Sequence, residues 1–172
     1  MTFELRFPRD EVSYWAEQYP NRYDDAPIIA IGTMARTRGS LTRDEFLEIT
    51  EWKTKRSKSR CRQNSESFVN EVTRCALTST EPRLKIEVLR ILDGVEWATA
   101  SVILHFCDEQ KWPILDFRAF WSVRMPAPTS CDFALWESYV LYTRRLAREL
   151  AVDMRTLDKA LWSYSEANQP PS

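Results

Sequence analysis

The sequence predicts an all-α protein of about eight helices. Glycine is scarce, with only Gly32, Gly39 and Gly94 in 172 residues, whereas barrels and sandwiches use it for many tight turns. Helix-capping signals recur along the chain, and strand-like alternation is nearly absent. Hydrophobic residues make up 44% and charged residues 28%, ordinary for a globular chain of a length that supports one domain with a real core. Residues 1–165 are expected to form that domain, and "EANQPPS", residues 166–172, a loose tail.

The elements follow in order. Asp10 is placed to cap a short helix reaching Tyr19, before Pro20. Asp24 or Asp25 caps a second, with Pro27 in its first turn. Thr42-Arg-Asp-Glu45 matches a capping box ahead of Phe46, Leu47, Ile49 and Trp52, predicting a helix over 43–55. Asn64 or Ser65 opens the next, to about Leu77. Thr80-Glu-Pro82 starts a helix carrying Leu84, Val88, Leu89, Ile91 and Leu92, which should stop at Asp93-Gly94, where glycine takes the left-handed geometry that ends helices. A helix from Trp97 is apolar on nearly all sides and belongs in the middle of the fold. A long helix over 132–150 follows, its late Arg144, Arg145 and Arg148 complementing the helix dipole. Asp153 caps the last helix, which packs Leu157, Leu161, Trp162 and Tyr164.

Charge is uneven. Residues 36–62 hold nine Lys/Arg against four Asp/Glu, a local +5 in a chain of net charge −1. The densest part, "KTKRSKSRCR" from Lys53 to Arg62, has six cations and no acid. Such a run reads either as a solvated helix end or as a phosphate-contacting patch. The start, "MTFELRFPRD", shows no signal peptide, and no apolar run approaches the roughly 20 residues a membrane span needs. Cys61, Cys75, Cys107 and Cys131 form neither a CxxC pair nor a zinc spacing, and His105 is the only histidine. The expectation is reduced thiols in a cytoplasmic protein, with no metal, cofactor or membrane. Ser101 and His105, four apart on one helix, suggest a nucleophile–base pair, but on so apolar a helix local hydrogen bonding explains them better. Glu45, Glu48 and Glu51 read as a solvated face.

The most informative stretch is "RILDGVEWATASVILHFCDEQKWPILDFRAFWSV", Arg90 to Val123. A tight L-x-G-V-x turn between two helices makes a helix-hairpin-helix, whose backbone N–H groups point at a nucleic-acid phosphate. With "LDGV", then "ATASVIL", then "PILD", the stretch resembles the helix-hairpin-helix DNA glycosylase superfamily, typified by adenine DNA glycosylases and endonuclease-III-like enzymes. The 18 residues from Ala98 to Asp116 match that family's hairpin-to-aspartate interval. The resemblance covers residues 80–123, a quarter of the chain.

It implies that Asp116 is the catalytic aspartate, stabilising the positive charge that builds on the sugar as a base–sugar bond breaks. The base would first be rotated out of the stack, with Trp97, Trp112 and Phe117 as candidate aromatic partners. Gly94, Val95 and the amides after them would approach a phosphate of duplex DNA, and Lys53, Lys55, Arg56, Lys58, Arg60 and Arg62 would supply sequence-independent attraction. Ala98 stands where bifunctional members carry a Schiff-base lysine, so the implied activity is monofunctional N-glycosylase hydrolysis in DNA repair. The four-cysteine iron–sulfur motif is absent, and "PIIAIGTMARTRG" matches no E-x-x-x-Q-Q-T helix. Glu96 replaces the second hairpin glycine and favours a different reading, a non-catalytic DNA-binding or interaction protein on the same scaffold. Asp116 also has a purely structural role open to it, as N-cap of the segment beginning at Phe117. A helical scaffold with no nucleic-acid role would instead leave the basic segment spread over solvent, away from the hairpin.

Overall fold

Six of the α-helices among the described residues begin at a residue whose side chain caps them: Thr42, Ser65, Glu81, Asp116, Asp132 and Asp153. A computed structural model describes residues 3–21, 23–126 and 130–170, and these contain ten α-helices and no strand. They fall into two compact units, residues 23–111 and residues 1–22 with 112–172.

The unit of residues 23–111 holds α2 (Ala26–Arg38), α3 (Arg43–Lys53), α4 (Lys58–Cys61), α5 (Glu66–Thr78), α6 (Pro82–Leu89) and α7 (Trp97–Cys107). Before α2, the Asp24 carboxylate accepts from the Ala26 amide at 2.9 Å, while Asp25 holds the N-cap position but does not cap the helix with its side chain. The predicted capping box is present at α3: the Thr42 hydroxyl accepts from the Glu45 amide, and the Glu45 carboxylate accepts from the Thr42 amide at 2.8 Å. Ser65 caps α5 through the Phe68 amide, and Pro82 occupies the first turn of α6.

The apolar helix α7 is the axis of this unit. Nine of its eleven residues are buried, and α2, α3 and α6 pack around it. Gly32 sits where α2 crosses α7. A Cβ there would lie 2.1 Å from the Phe106 carbonyl oxygen, so the approach requires glycine. Arg36, one turn later, donates to the same carbonyl. Below the axis, Lys85 and Asp108 form an ion pair at 2.6 Å, their side chains only 3% and 5% exposed. Lys85 Nζ also reaches the carbonyls of Ala76 and Leu77 at 3.2 and 3.3 Å, tying the end of α5 to the residue that ends α7.

The other unit holds α1 (Val12–Glu17), α8 (Phe117–Ser122), α9 (Phe133–Glu149) and α10 (Met154–Asn168). Here α10 is the axis, with α1, α8 and α9 against it. Asp132 and Asp153 cap α9 and α10 through the Leu135 and Thr156 amides at 2.8 and 2.9 Å. Trp112 stacks on Trp136 with ring centres 5.1 Å apart, and the Arg144 guanidinium lies 4.1 Å over the Trp112 ring.

Several boundaries differ from the sequence reading. Asp10 does not cap a helix: Pro8 opens a 3-10 turn, Arg9–Glu11, closed by the Glu11 amide on the Pro8 carbonyl at 3.1 Å, and α1 begins only after it. The helix predicted to reach Asp93 ends at Leu89, because Arg90, Ile91 and Leu92 tighten into i→i+3 bonds. Against the eight helices expected there are ten α-helices among the described residues, the short α4 and α8 being the additions. The last helix continues through Asn168, into the stretch read as a tail, whose residues 171–172 lie outside the described residues.

Candidate nucleic-acid interface

The hairpin between α6 and α7 closes at Asp93-Gly94-Val95. Gly94 has φ +83°, a backbone state that side chains with a Cβ rarely adopt. The Val95 amide is used inside the turn, donating to the Leu92 carbonyl at 3.1 Å. Gly94 and Val95 are both buried, so the amides that lie ahead of them belong to the first turn of α7. That turn has no side-chain cap. A helix start without a cap leaves its first amides to another acceptor, which is the condition anion binding uses.

What covers Gly94 is the basic segment. A Cβ on Gly94 would meet Cys61 Sγ at 2.7 Å, the Cys61 amide nitrogen at 2.9 Å and Arg60 Cβ at 3.1 Å. Asn64, buried just after this segment, locks the two together. Its side-chain amide donates to the Asp93 carbonyl at 3.0 Å and to the Cys61 carbonyl at 2.9 Å, and its oxygen accepts from the Asp93 amide at 2.9 Å. Arg43 reaches over from α3 to the carbonyls of Arg62 and Asn64 at 2.7 and 2.8 Å, quenching acceptors where α4 ends. The cationic run therefore lies against the hairpin.

Within that run Lys55, Arg56, Arg60 and Arg62 are exposed, while Lys53 and Lys58 are half-buried. Lys58 bridges to Glu51 at 2.7 Å. That hydrogen bond, with the nearby charges of Lys58, Lys55 and Arg62, holds the Glu51 carboxyl below the usual carboxylate range. At the hairpin itself, Glu96 turns into solvent with a side chain 67% exposed, its carboxylate 4.0 Å from the Arg90 guanidinium. Arg90 also lies 4.5 Å over the ring of Trp97, which is buried.

Asp116 belongs to the other unit. It is half-buried and is the N-cap of α8, its carboxylate accepting from the Arg118 amide at 3.0 Å. The "PILD" segment leading to it is anchored by Asp158, a buried carboxylate on α10 that takes the Ile114 amide at 3.2 Å. Tyr139 of α9 is fully buried, and its hydroxyl has no hydrogen-bond partner among the described residues. Burial pushes its phenol well above the ordinary range, and the charges of Asp158 and Asp116 add to this. Asp116 and Asp158 thus share one electrostatic neighbourhood around that hydroxyl, a grouping no spacing in the sequence announces.

The structure gathers Gly94, Val95, Trp97 and the Lys53–Arg62 cations in one unit. Of the three aromatic candidates, Trp112 is in the core and Trp97 is buried under Arg90, while Phe117 is 55% exposed. Sequence reasoning missed Asn64 as the hairpin's staple and the buried Lys85–Asp108 pair. A lysine beside Ile86 and one turn before Leu89, on the side of α6 that those two buried residues define, was the available signal for the second, whereas Leu84 is exposed. Ser101 donates to the Ala98 carbonyl at 2.7 Å and is fully buried, as local bonding predicts. His105 lines a polar cavity of about 470 Å³ with Thr33, Arg36, Thr37, Asp108, Glu109 and Lys111. All four cysteines are free thiols. Among the described residues no cluster of His, Cys, Asp or Glu is arranged to hold a metal ion, and no helix is long and apolar enough to cross a membrane.

No protein-family model matches the chain, and no similar curated protein or solved structure was found.

Proposed function

We propose that the protein binds DNA through the α6–α7 hairpin and the Lys53–Arg62 segment, and hydrolyses the base–sugar bond of a flipped nucleotide with Asp116 stabilising the sugar cation. The observation that carries the reading is the lock between hairpin and basic segment through Asn64 and Gly94. A merely solvated charge run has no need of such a fixed position. An uncapped helix start, and a segment with four exposed cations whose Arg60 and Cys61 pack on Gly94, are the components of a phosphate site. Asp116 fits its role in being half-buried and held in one orientation by the Arg118 amide. With Ala98 in the lysine position, the chemistry is hydrolysis without strand cleavage by a Schiff base.

The exposed Glu96 carboxylate at the hairpin favours a second reading, a binder that keeps the scaffold without the reaction. One experiment separates the two. The protein and its Asp116→Asn variant are incubated with duplexes carrying a panel of damaged or mispaired bases, and abasic sites are then cleaved with alkali. Base excision predicts strand breaks that vanish in the still-folded variant. Salt-sensitive binding with no breaks for any duplex assigns the binder, and neither binding nor breaks removes both.

A further inference from the structure

The unit that carries Asp116 has a second surface of mixed aromatic and cationic character. Arg155 and Lys159, one turn apart on α10, stand 4.9 and 5.4 Å from the Tyr19 ring. Tyr19 meets Trp162 edge to face at 5.3 Å. The Arg118 guanidinium lies 5.0 Å over Trp162 and 5.5 Å over Phe117, and Phe117 is 55% exposed. A continuous path of touching groups thus runs from Phe117 through Arg118 and Trp162 to Tyr19, Arg155 and Lys159. It draws on the chain after α1, the start of α8 and one face of α10. Asp116 adjoins it, since the amide it accepts from is that of Arg118.

Building on the nucleic-acid reading above but not on bond cleavage, we propose that this surface binds single-stranded nucleic acid, stacking an unpaired base on Phe117 and taking its phosphates on Arg118, Arg155 and Lys159. The charge is complementary to a polyanion: three cations stand along the path. The rings set this surface apart from a plain basic patch. Every base has a π-face, so an exposed ring with one cation beside it and further cations along the same path is a sequence-tolerant platform. A duplex keeps its bases stacked inside and offers Phe117 nothing equivalent. The basic segment of the other unit has no aromatic residue between Lys53 and Arg62, so the two surfaces call for different forms of the ligand.

The test uses the full chain with a fluorescently labelled oligothymidylate and a duplex of the same length, read by anisotropy. The single strand is expected to bind, with affinity falling roughly tenfold in Phe117→Ala and recovering in Phe117→Trp. An Arg155→Ala/Lys159→Ala variant weakens it and flattens its salt dependence by about two cations' worth. Single-strand binding by Asp116→Asn at full strength supports the surface even where the excision assay shows no strand breaks, which keeps the two failures apart. The proposal is overturned by absence of single-strand binding, by equal affinity of Phe117→Ala and the parent protein, or by polyphosphate competing as well as the oligonucleotide. Phe117 is solvent-facing, so its replacement leaves the fold intact, and an unchanged thermal transition verifies this.

Discussion

Gly94 is where backbone geometry and candidate function coincide. A methyl group there has to enter both the left-handed region and the space of the Cys61 backbone. Gly94→Ala is therefore expected to cost about 1–2 kcal/mol for the backbone alone and more for the displaced Cys61, measured as a lowered urea midpoint. Duplex binding should weaken in the same variant under conditions where it remains folded. Cys107, at the end of α7, gives a different signature. Burial pushes its thiol up to about 12. Below about pH 9 the thiol is neutral in both folded and unfolded chains, so its contribution is complete there. As pH rises from about 9 to about 12 the unfolded thiol ionises first, and stability declines. Thermal melts across that range should show a decline that Cys107→Ala shares less. At this scale the sequence was partly legible. Thr42, Ser65 and Asp153 cap as their types and positions predict, because capping is decided within four residues. Asp10 failed because Pro8 set the local turn first. Asn64 was read as a possible cap, and its bonds to Asp93 join residues 29 apart in the chain, a distance local reasoning does not reach.

Among the elements, α7 was legible as the buried axis because it is apolar around its whole circumference. The turn between α6 and α7 was legible too, through Gly94 with its positive φ. The sequence leaves open what packs against that turn, and α4, a four-residue helix made of Lys, Ser, Arg and Cys, carries no periodicity to reveal it. The Lys85–Asp108 pair joins α5, α6 and the end of α7, with both side chains almost fully buried. Removing one partner leaves the other charge buried, so Lys85→Ala is expected to destabilise by about 3–5 kcal/mol. Lys85→Met combined with Asp108→Leu should recover a large part of that, since an apolar pair of similar volume carries no desolvation cost. Chemical denaturation of the two variants measures the difference. An equal loss in both would mean that the packing of the lysine stem, and not the charge, holds the elements together.

Over the whole molecule, an all-α chain was predictable from sparse glycine, recurrent caps and missing alternation. Its organisation around two central helices, α7 and α10, was not. Nothing in the order of residues states that 1–22 packs with 112–172, since this depends on contacts such as the Arg6 amide on the Ser122 carbonyl at 2.9 Å. The aromatic and cationic path from Phe117 to Lys159 is hidden for the same reason, its members being scattered over 144 residues from Tyr19 to Trp162. The account as a whole depends on the cations held against the hairpin meeting phosphates. Duplex affinity measured against salt concentration tests that most directly, for the parent protein and for an Arg60→Ala/Arg62→Ala variant. Binding that weakens steeply with salt, on a log–log slope reduced by about two in the variant, is the predicted result. No duplex binding at low salt, or a slope identical in both proteins, would contradict it.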